Sequence, residues 1–237
     1  MTALAVVQAR MSSTRLPGKV LADVGAEPML VLLIKRLQRA AGVARIVIAT
    51  SDDASDTAIA DVARSADADV HRGPLDDVLK RFVGAAAGHS GPILRVTADC
   101  PLIDPDVIDA LLGCFAAAPG ALYGSNVEHR TYPDGLDVEV FTPAALTLAD
   151  RLATDPLDRE HVTTLMRRHP DRFPPVSLTG PERLGHLRWT VDDREDLEFI
   201  RALVARLGEA RYAATMIDIV QAVRRPPSLN DAGACRG

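Results

Sequence analysis

A chain of 237 residues, 47% hydrophobic and 25% charged, has the composition of an ordinary globular protein and is long enough for one large α/β domain. Its 32 acidic against 27 basic residues leave a formal charge of -5, so no global basic field recruits nucleic acid or an anionic membrane, and any polyanion must be held locally. Three cysteines, Cys100, Cys114 and Cys235, without CxxC spacing argue against a disulfide framework or zinc knuckle and for a cytoplasmic location.

The first predicted element is a strand over residues 3–7. No basic region precedes it and a charged loop follows, so it is neither a signal peptide nor a membrane span. The strand runs into Gln8-Ala9-Arg10-Met11-Ser12-Ser13-Thr14-Arg15-Leu16-Pro17-Gly18-Lys19, a loop suited to phosphate. Arg10, Arg15 and Lys19 can neutralise a triphosphate, the three hydroxyl residues and the backbone offer further donors, and Gly18 permits close approach. It is not a Walker A loop, because Gly18-Lys19-Val20 has no earlier glycine at the required spacing.

Helix 29–41, strand 45–50, helix 53–65, strand 69–71, helix 75–87 and strand 93–97 then alternate, and another helix opens at Asp104-Pro105. This rhythm predicts a mainly parallel sheet covered by helices on both faces. After about residue 119 it changes. Residues 125–141 read as loop and strand, with a turn at Pro133-Asp134-Gly135 and Leu136, Val138 and Val140 alternating with Asp137 and Glu139. Helices 143–152 and 156–169, a short strand 176–178, a resumed sheet strand 187–191 and helices 195–207 and 215–223 complete the expectation. A single domain is expected over 1–225, with a mobile tail at 226–237.

Two carboxylates stand at predicted strand ends. Asp99 follows Arg95-Val96-Thr97-Ala98, at the edge where open α/β sheets bind ligands, while Asp104 holds the capping position before Pro105. Asp192 follows Leu187-Arg188-Trp189-Thr190-Val191, and Asp193 and Asp196 are expected to serve the next helix N-terminus. If Asp99 and Asp192 converge near the cationic loop, they can hold Mg2+ beside the phosphates of a nucleotide. The six histidines are scattered without i, i+4 pairing, so no histidine metal site is expected.

The blocks VVQARMSSTRLPGKVL, HRGPLDDVLKRF, RVTADCPLIDP, TYPDGLDVEVF, DREHVT and LRWTVDDREDLEFI together resemble the spore coat polysaccharide biosynthesis protein SpsF family. That family is a branch of the cytidylyltransferases, related to CMP-Kdo and CMP-sialic acid synthetases. The resemblance implies a GT-A-like nucleotide-diphospho-sugar transferase fold and a Mg2+-dependent reaction of CTP with an acid, sugar acid or related acceptor, releasing pyrophosphate. By the same resemblance Arg10, Arg15 and Lys19 grip the triphosphate, with Lys19 and Arg10 catalytic, and Asp99 and Asp192 are the Mg2+ ligands. Gln8, Ala9, Arg72, Thr97 and Ala98 are its base and ribose contacts. It also implies a homodimer, for which residues 125–175 are the expected interface.

The acceptor half departs from the sugar-acid synthetases. There Tyr132, Asp134, Asp137, Glu139, Arg159 and His161 are candidate pocket residues, and so many acidic groups would suit an acceptor bearing an amine or several hydroxyls. Each has a plainer reading: Asp134 as a turn residue, Glu139 as an exposed strand position, His161 as a packed helix histidine. Two other functions fit the same fold, a GT-A glycosyltransferase using a nucleotide-diphosphate sugar and a non-catalytic nucleotide binder. Asp99-Cys100-Pro101 in place of an Asp-x-Asp motif speaks against the first, and the presence of Lys19, Asp99 and Asp192 against the second.

Overall fold

Strand β1 (Ala3–Gln8) is apolar up to its last residue and buried on both faces: Ala3, Ala5 and Val7 enter one core, Leu4 and Val6 the other. A strand covered on both sides needs such a continuous apolar run rather than an alternating one. The structure, a computed structural model, describes residues 2–25 and 27–224. The tail expected at 226–237 therefore lies outside the described residues.

Beyond β1 come α1 (Met29–Leu37), β2 (Val43–Ser51), α2 (Thr57–Ser65), β3 (Asp69–Gly73), α3 (Val78–Ala85), β4 (Ile93–Thr97) and α4 (Pro105–Ala116). β1 lies between β2 and β4, parallel to both, and β3 is parallel to β2. Asp104 caps α4 as expected, accepting from the Asp106 N–H at 2.8 Å, with proline in the first turn. The carboxyl ends of β1 and β4 thus lie side by side.

The chain continues through β5 (Tyr123–Ser125), β6 (Glu139–Phe141), α5 (Pro143–Leu152), α6 (Pro156–His161), α7 (Thr164–Arg168), β7 (Pro175–Ser177), α8 (Arg194–Leu207) and α9 (Met216–Arg224). The seven strands run in the order β3-β2-β1-β4-β6-β5-β7. β6 is antiparallel to β4 and β5, and β7 is parallel to β5. One core lies between the sheet and α1, α2, α4, α8 and α9, the other between the sheet and α3, α5 and α7.

Two expectations are corrected. Helix 156–169 is broken at Val162, which has φ 58° and ψ -57°; the Thr163 N–H reaches back to the His161 carbonyl at 2.5 Å, the pattern of a γ-turn. Segment 187–191 is not a sheet strand. It makes one isolated bridge, Asp134 to Arg188, and bonds alternately to two loops: Trp189 N to Asp134 O at 2.6 Å, and Val191 N to Asp99 O at 2.8 Å. Gly135 makes this approach possible. Its φ is 109°, and a Cβ there would stand 2.6 Å from the Trp189 carbonyl carbon and the Thr190 nitrogen.

Candidate active site

The loop after β1 is fixed before any ligand meets it. Asp56, buried at the start of α2, accepts the Met11 N–H at 2.8 Å with one oxygen, and Thr50 Oγ1 and Ser51 Oγ at 3.0 and 2.5 Å with the other. Gly18, at φ 73°, closes the loop by donating to the Met11 carbonyl at 2.9 Å. That left-handed turn delivers Lys19 inward, only 9% exposed, at the start of a 3-10 turn.

Over the ends of β1 and β4 this loop walls a cavity of about 400 Å³. Arg10, Ser13, Thr14, Arg15 and Lys19 line it from the loop, Gln8 and Ala9 from the end of β1, and Thr97, Ala98 and Asp99 from the end of β4. Asp192 closes one side, and Glu160 and His161 reach it from the end of α6.

Lys19 Nζ lies at the centre of the charges: 3.2 Å from Asp99 Oδ2, 3.0 Å from Asp192 Oδ1 and 2.6 Å from the Val191 carbonyl. Asp192 also meets Arg15 at 2.9 Å and Arg188 at 2.8 Å. Burial pushes the Asp192 carboxyl up, but hydrogen bonds from Arg188 and Lys19, with the charges of Lys19 and Arg15, outweigh it and hold the group at about 2. Asp193 and Asp196 form a capping box at the start of α8, as expected, and Asp196 also accepts the Asp192 N–H at 2.8 Å. Thus the two carboxylates expected to converge do so on one ammonium, although Asp192 comes from a loop rather than a strand.

Hard oxygen donors in pairs suit Mg2+, which takes one or two carboxylates and completes its octahedron with phosphate oxygens and water. Among the described residues no group of three or more His, Cys, Asp or Glu is placed to hold a metal. The donor set fits Mg2+ only as a site that a nucleotide completes.

Other candidates lie elsewhere. Arg72 is not in the cavity lining; its guanidinium donates to the carbonyls of Ser51 and Asp53 at 2.9 and 2.7 Å and ties β3 to the turn before α2. Arg159 clamps α6 to Asp77 and Asp150, both at 2.8 Å. Tyr132 is not in the cavity lining; it is buried in the core, against Gly180. Asp134 pairs with Arg188 at 2.9 Å, and Asp137 with Arg130 through two bonds of 2.9 and 2.8 Å. Glu139 is no exposed strand position: 4% exposed, it accepts from Tyr123 Oη and Arg95, each at 2.5 Å. Asp137 and Glu139 line a smaller neighbouring cavity of about 170 Å³, which shares Arg95 and Thr97 with the first. Only His161 of the six acceptor candidates lines the main cavity, and the acids expected to face an acceptor are each matched by an arginine.

Three contributors escape a sequence reading. Arg95 sits in an apolar strand, and a charge there signals a buried partner, which proves to be Glu139. Glu160 lies in the DREHVT block beside His161 and meets Arg10 at 3.3 Å. Arg188 gathers Asp134, Asp192 and Asp196 on one guanidinium, a convergence that no local pattern encodes.

A family model described as cytidylyltransferase matches residues 4–216. The chain belongs to the cytidylyltransferase family. It is similar to the spore coat polysaccharide biosynthesis protein SpsF of Bacillus subtilis, at 34% identity over 94% of this chain and 95% of that protein. It is also similar to a 3-deoxy-manno-octulosonate cytidylyltransferase of Anaeromyxobacter dehalogenans, at 28% identity over 84% of this chain and 96% of that one. A solved cytidylyltransferase structure from Leptospira borgpetersenii serovar Hardjo-bovis superposes with a TM-score of 0.89 at 27% identity, covering 94% of both chains. The chain is accordingly a CTP-dependent nucleotidyltransferase with the GT-A-like nucleotide-diphospho-sugar transferase fold expected from its sequence. No helix among the described residues is long and apolar enough to cross a membrane.

Proposed function

We propose that this cytidylyltransferase transfers CMP from CTP to a sugar acid or related acid, releasing pyrophosphate with Mg2+ as cofactor. The observation that carries the reading is that three loop cations and two carboxylates, Asp99 and Asp192, line one cavity at the ends of β1 and β4. Such a cavity suits a triphosphate better than a diphosphate sugar, because each added phosphate finds a guanidinium or ammonium.

In this reading Arg10 and Arg15 orient the triphosphate. Lys19 neutralises the charge growing on the α-phosphate and pyrophosphate as the acceptor oxygen attacks, in a cavity where partial exclusion of water strengthens the interaction. Ser13 and Thr14 supply hydroxyl donors to the phosphates, and Gln8, Ala9, Thr97 and Ala98 form the nucleoside wall. Asp99 and Asp192 would hold Mg2+, which when bound supplies Lewis-acid polarisation of the phosphate oxygens. His161 lies where it can meet the acceptor. A homodimer through residues 125–175 and a cytoplasmic location belong to the same reading; sedimentation and fractionation test them.

The direct test is calorimetric titration with CTP, UTP, GTP, ATP, UDP-glucose and GDP-mannose, with Mg2+ and with EDTA. A metal-dependent preference for CTP is expected. Pyrophosphate release would then be screened over sugar acids, beginning with 3-deoxy-manno-octulosonate, the acid in the relative's name. Preference for a nucleotide sugar would overturn the assignment of Arg10, Arg15 and Lys19.

A further inference from the structure

All three cations of the phosphate loop are held by carboxylates of the same chain. Lys19 rests on Asp99 and Asp192, Arg15 on Asp192, and Arg10 on Glu160 at 3.3 Å. A triphosphate entering the cavity has to take these donors away, and its charge then faces acids at close range. For Asp99 and Asp192 a divalent cation makes good the loss. Glu160 comes from α6 rather than from the end of β4 or the loop before α8 that carry the other two, and its ion pair is with Arg10.

The placement of Glu160 is built into the fold. Asp158, buried two residues earlier, pairs with Arg168 across the break between α6 and α7. Arg159 fastens the same turn to Asp77 and Asp150. Val162, 0% exposed in the core with Phe82 and Phe141, holds a left-handed backbone that a β-branched residue adopts only where its surroundings over-determine it. Glu160 therefore leaves a helix end pinned on three sides and meets Arg10 from a fixed position.

We infer that Glu160 is a resident counter-ion of the triphosphate site, an affinity-setting residue that holds Arg10 until the nucleotide displaces it and takes Arg10 back as pyrophosphate leaves. The inference rests on the reading of Arg10 as a triphosphate ligand. It separates the carboxylates into two kinds: Asp99 and Asp192 weaken nucleotide binding only until the metal arrives, whereas Glu160 opposes it with or without metal. Because Arg10 and Glu160 are 37% and 40% exposed, solvent screens the effect to a modest size.

The experiment is calorimetric titration of CTP into wild type, Glu160→Gln and Asp192→Asn, each in EDTA and in Mg2+, with melting temperatures recorded. Glutamine keeps an acceptor oxygen for Arg10 and removes only the charge. Glu160→Gln is expected to tighten CTP binding by about threefold to tenfold in both conditions, the gain shrinking at high salt. Asp192→Asn is expected to tighten it in EDTA alone and to lose the improvement that Mg2+ gives the wild type. Unchanged or weaker CTP binding by Glu160→Gln at an unchanged melting temperature overturns the counter-ion role, since a merely structural glutamate gives that pattern. Absence of CTP binding by the wild type overturns the triphosphate site itself, and the two failures are distinct.

Discussion

Around β1 and β4 the charged residues stand at strand ends on an open cavity, and each ion pair is shared or partly exposed: Asp192 serves Lys19, Arg15 and Arg188 at once. Around β6 and β5 they lie within the sheet. Tyr123, Glu139, Arg95 and Gln8, from the consecutive strands β5, β6, β4 and β1, form one line of hydrogen bonds of 2.5, 2.5 and 3.3 Å. Arg95 and Glu139 are directly opposite in the ladder, their side chains 15% and 5% exposed. The first set lines an open cavity, where on the proposed reading phosphate and metal take over its partners. In the second, Glu139 is matched within the sheet by Arg95 and Tyr123, while Arg95, Asp137 and Glu139 also line the smaller cavity.

This contrast can be broken most severely at the open end. Asp99→Asn and Asp192→Asn are each expected to lower Mg2+-dependent pyrophosphate release by about a thousandfold or more with the fold intact by circular dichroism; full activity in either would sink the metal assignment. Lys19→Ala is expected to cost about a hundredfold to a thousandfold, mainly in kcat, measured by single-turnover kinetics. Within the sheet the loss should appear in stability. Arg95→Met strands the buried Glu139 carboxylate and is expected to cost about 3 kcal/mol in urea unfolding.

The smallest effect sharpens the comparison by its sign. Asp192 is held below its unfolded value, at about 2, so its contribution to stability is full above the unfolded carboxylate pKa of about 4 and is lost as pH falls through 2. Asp137 is displaced the other way, because burial raises its pKa against the hydrogen bonds of Arg130. Its contribution is greatest below the ordinary carboxylate range and declines as pH rises through the raised value. Thermal melts from acid to neutral pH should therefore show the wild type gaining on Asp192→Asn, and losing ground to Asp137→Asn, as pH rises. Parallel curves for the two variants would remove the distinction between the two regions.

The regular half was the more legible. An apolar run followed by hydroxyls and cations marked β1 and its loop, and a strand ending in Asp99 marked β4, because parallel strands carry their chemistry at their carboxyl ends. In the second half the strands have three residues each, too few for periodicity to speak. Residues 156–169 were expected as one helix; the break at Val162 depends on what surrounds that side chain in the core. Tyr132, Asp134, Asp137, Glu139 and Arg159 carried the right chemistry for a pocket, but whether an acid faces a ligand or an arginine depends on the strand or loop that lies across from it.

By itself the sequence determined the local preferences: the βα alternation, the phosphate loop with its glycine turn, the caps at Asp104 and Asp193, and the family to which six ordered blocks point. These follow from neighbours along the chain, where periodicity and backbone conformation act. Tertiary structure alone decided that Asp99 and Asp192, far apart in the chain, share the Lys19 ammonium, that Glu160 answers Arg10, and that Glu139 spends its charge on Arg95. An ion pair forms between whichever opposite charges the fold brings within a few ångströms, and that distance is set by packing of the whole chain rather than by the residues that carry the charge.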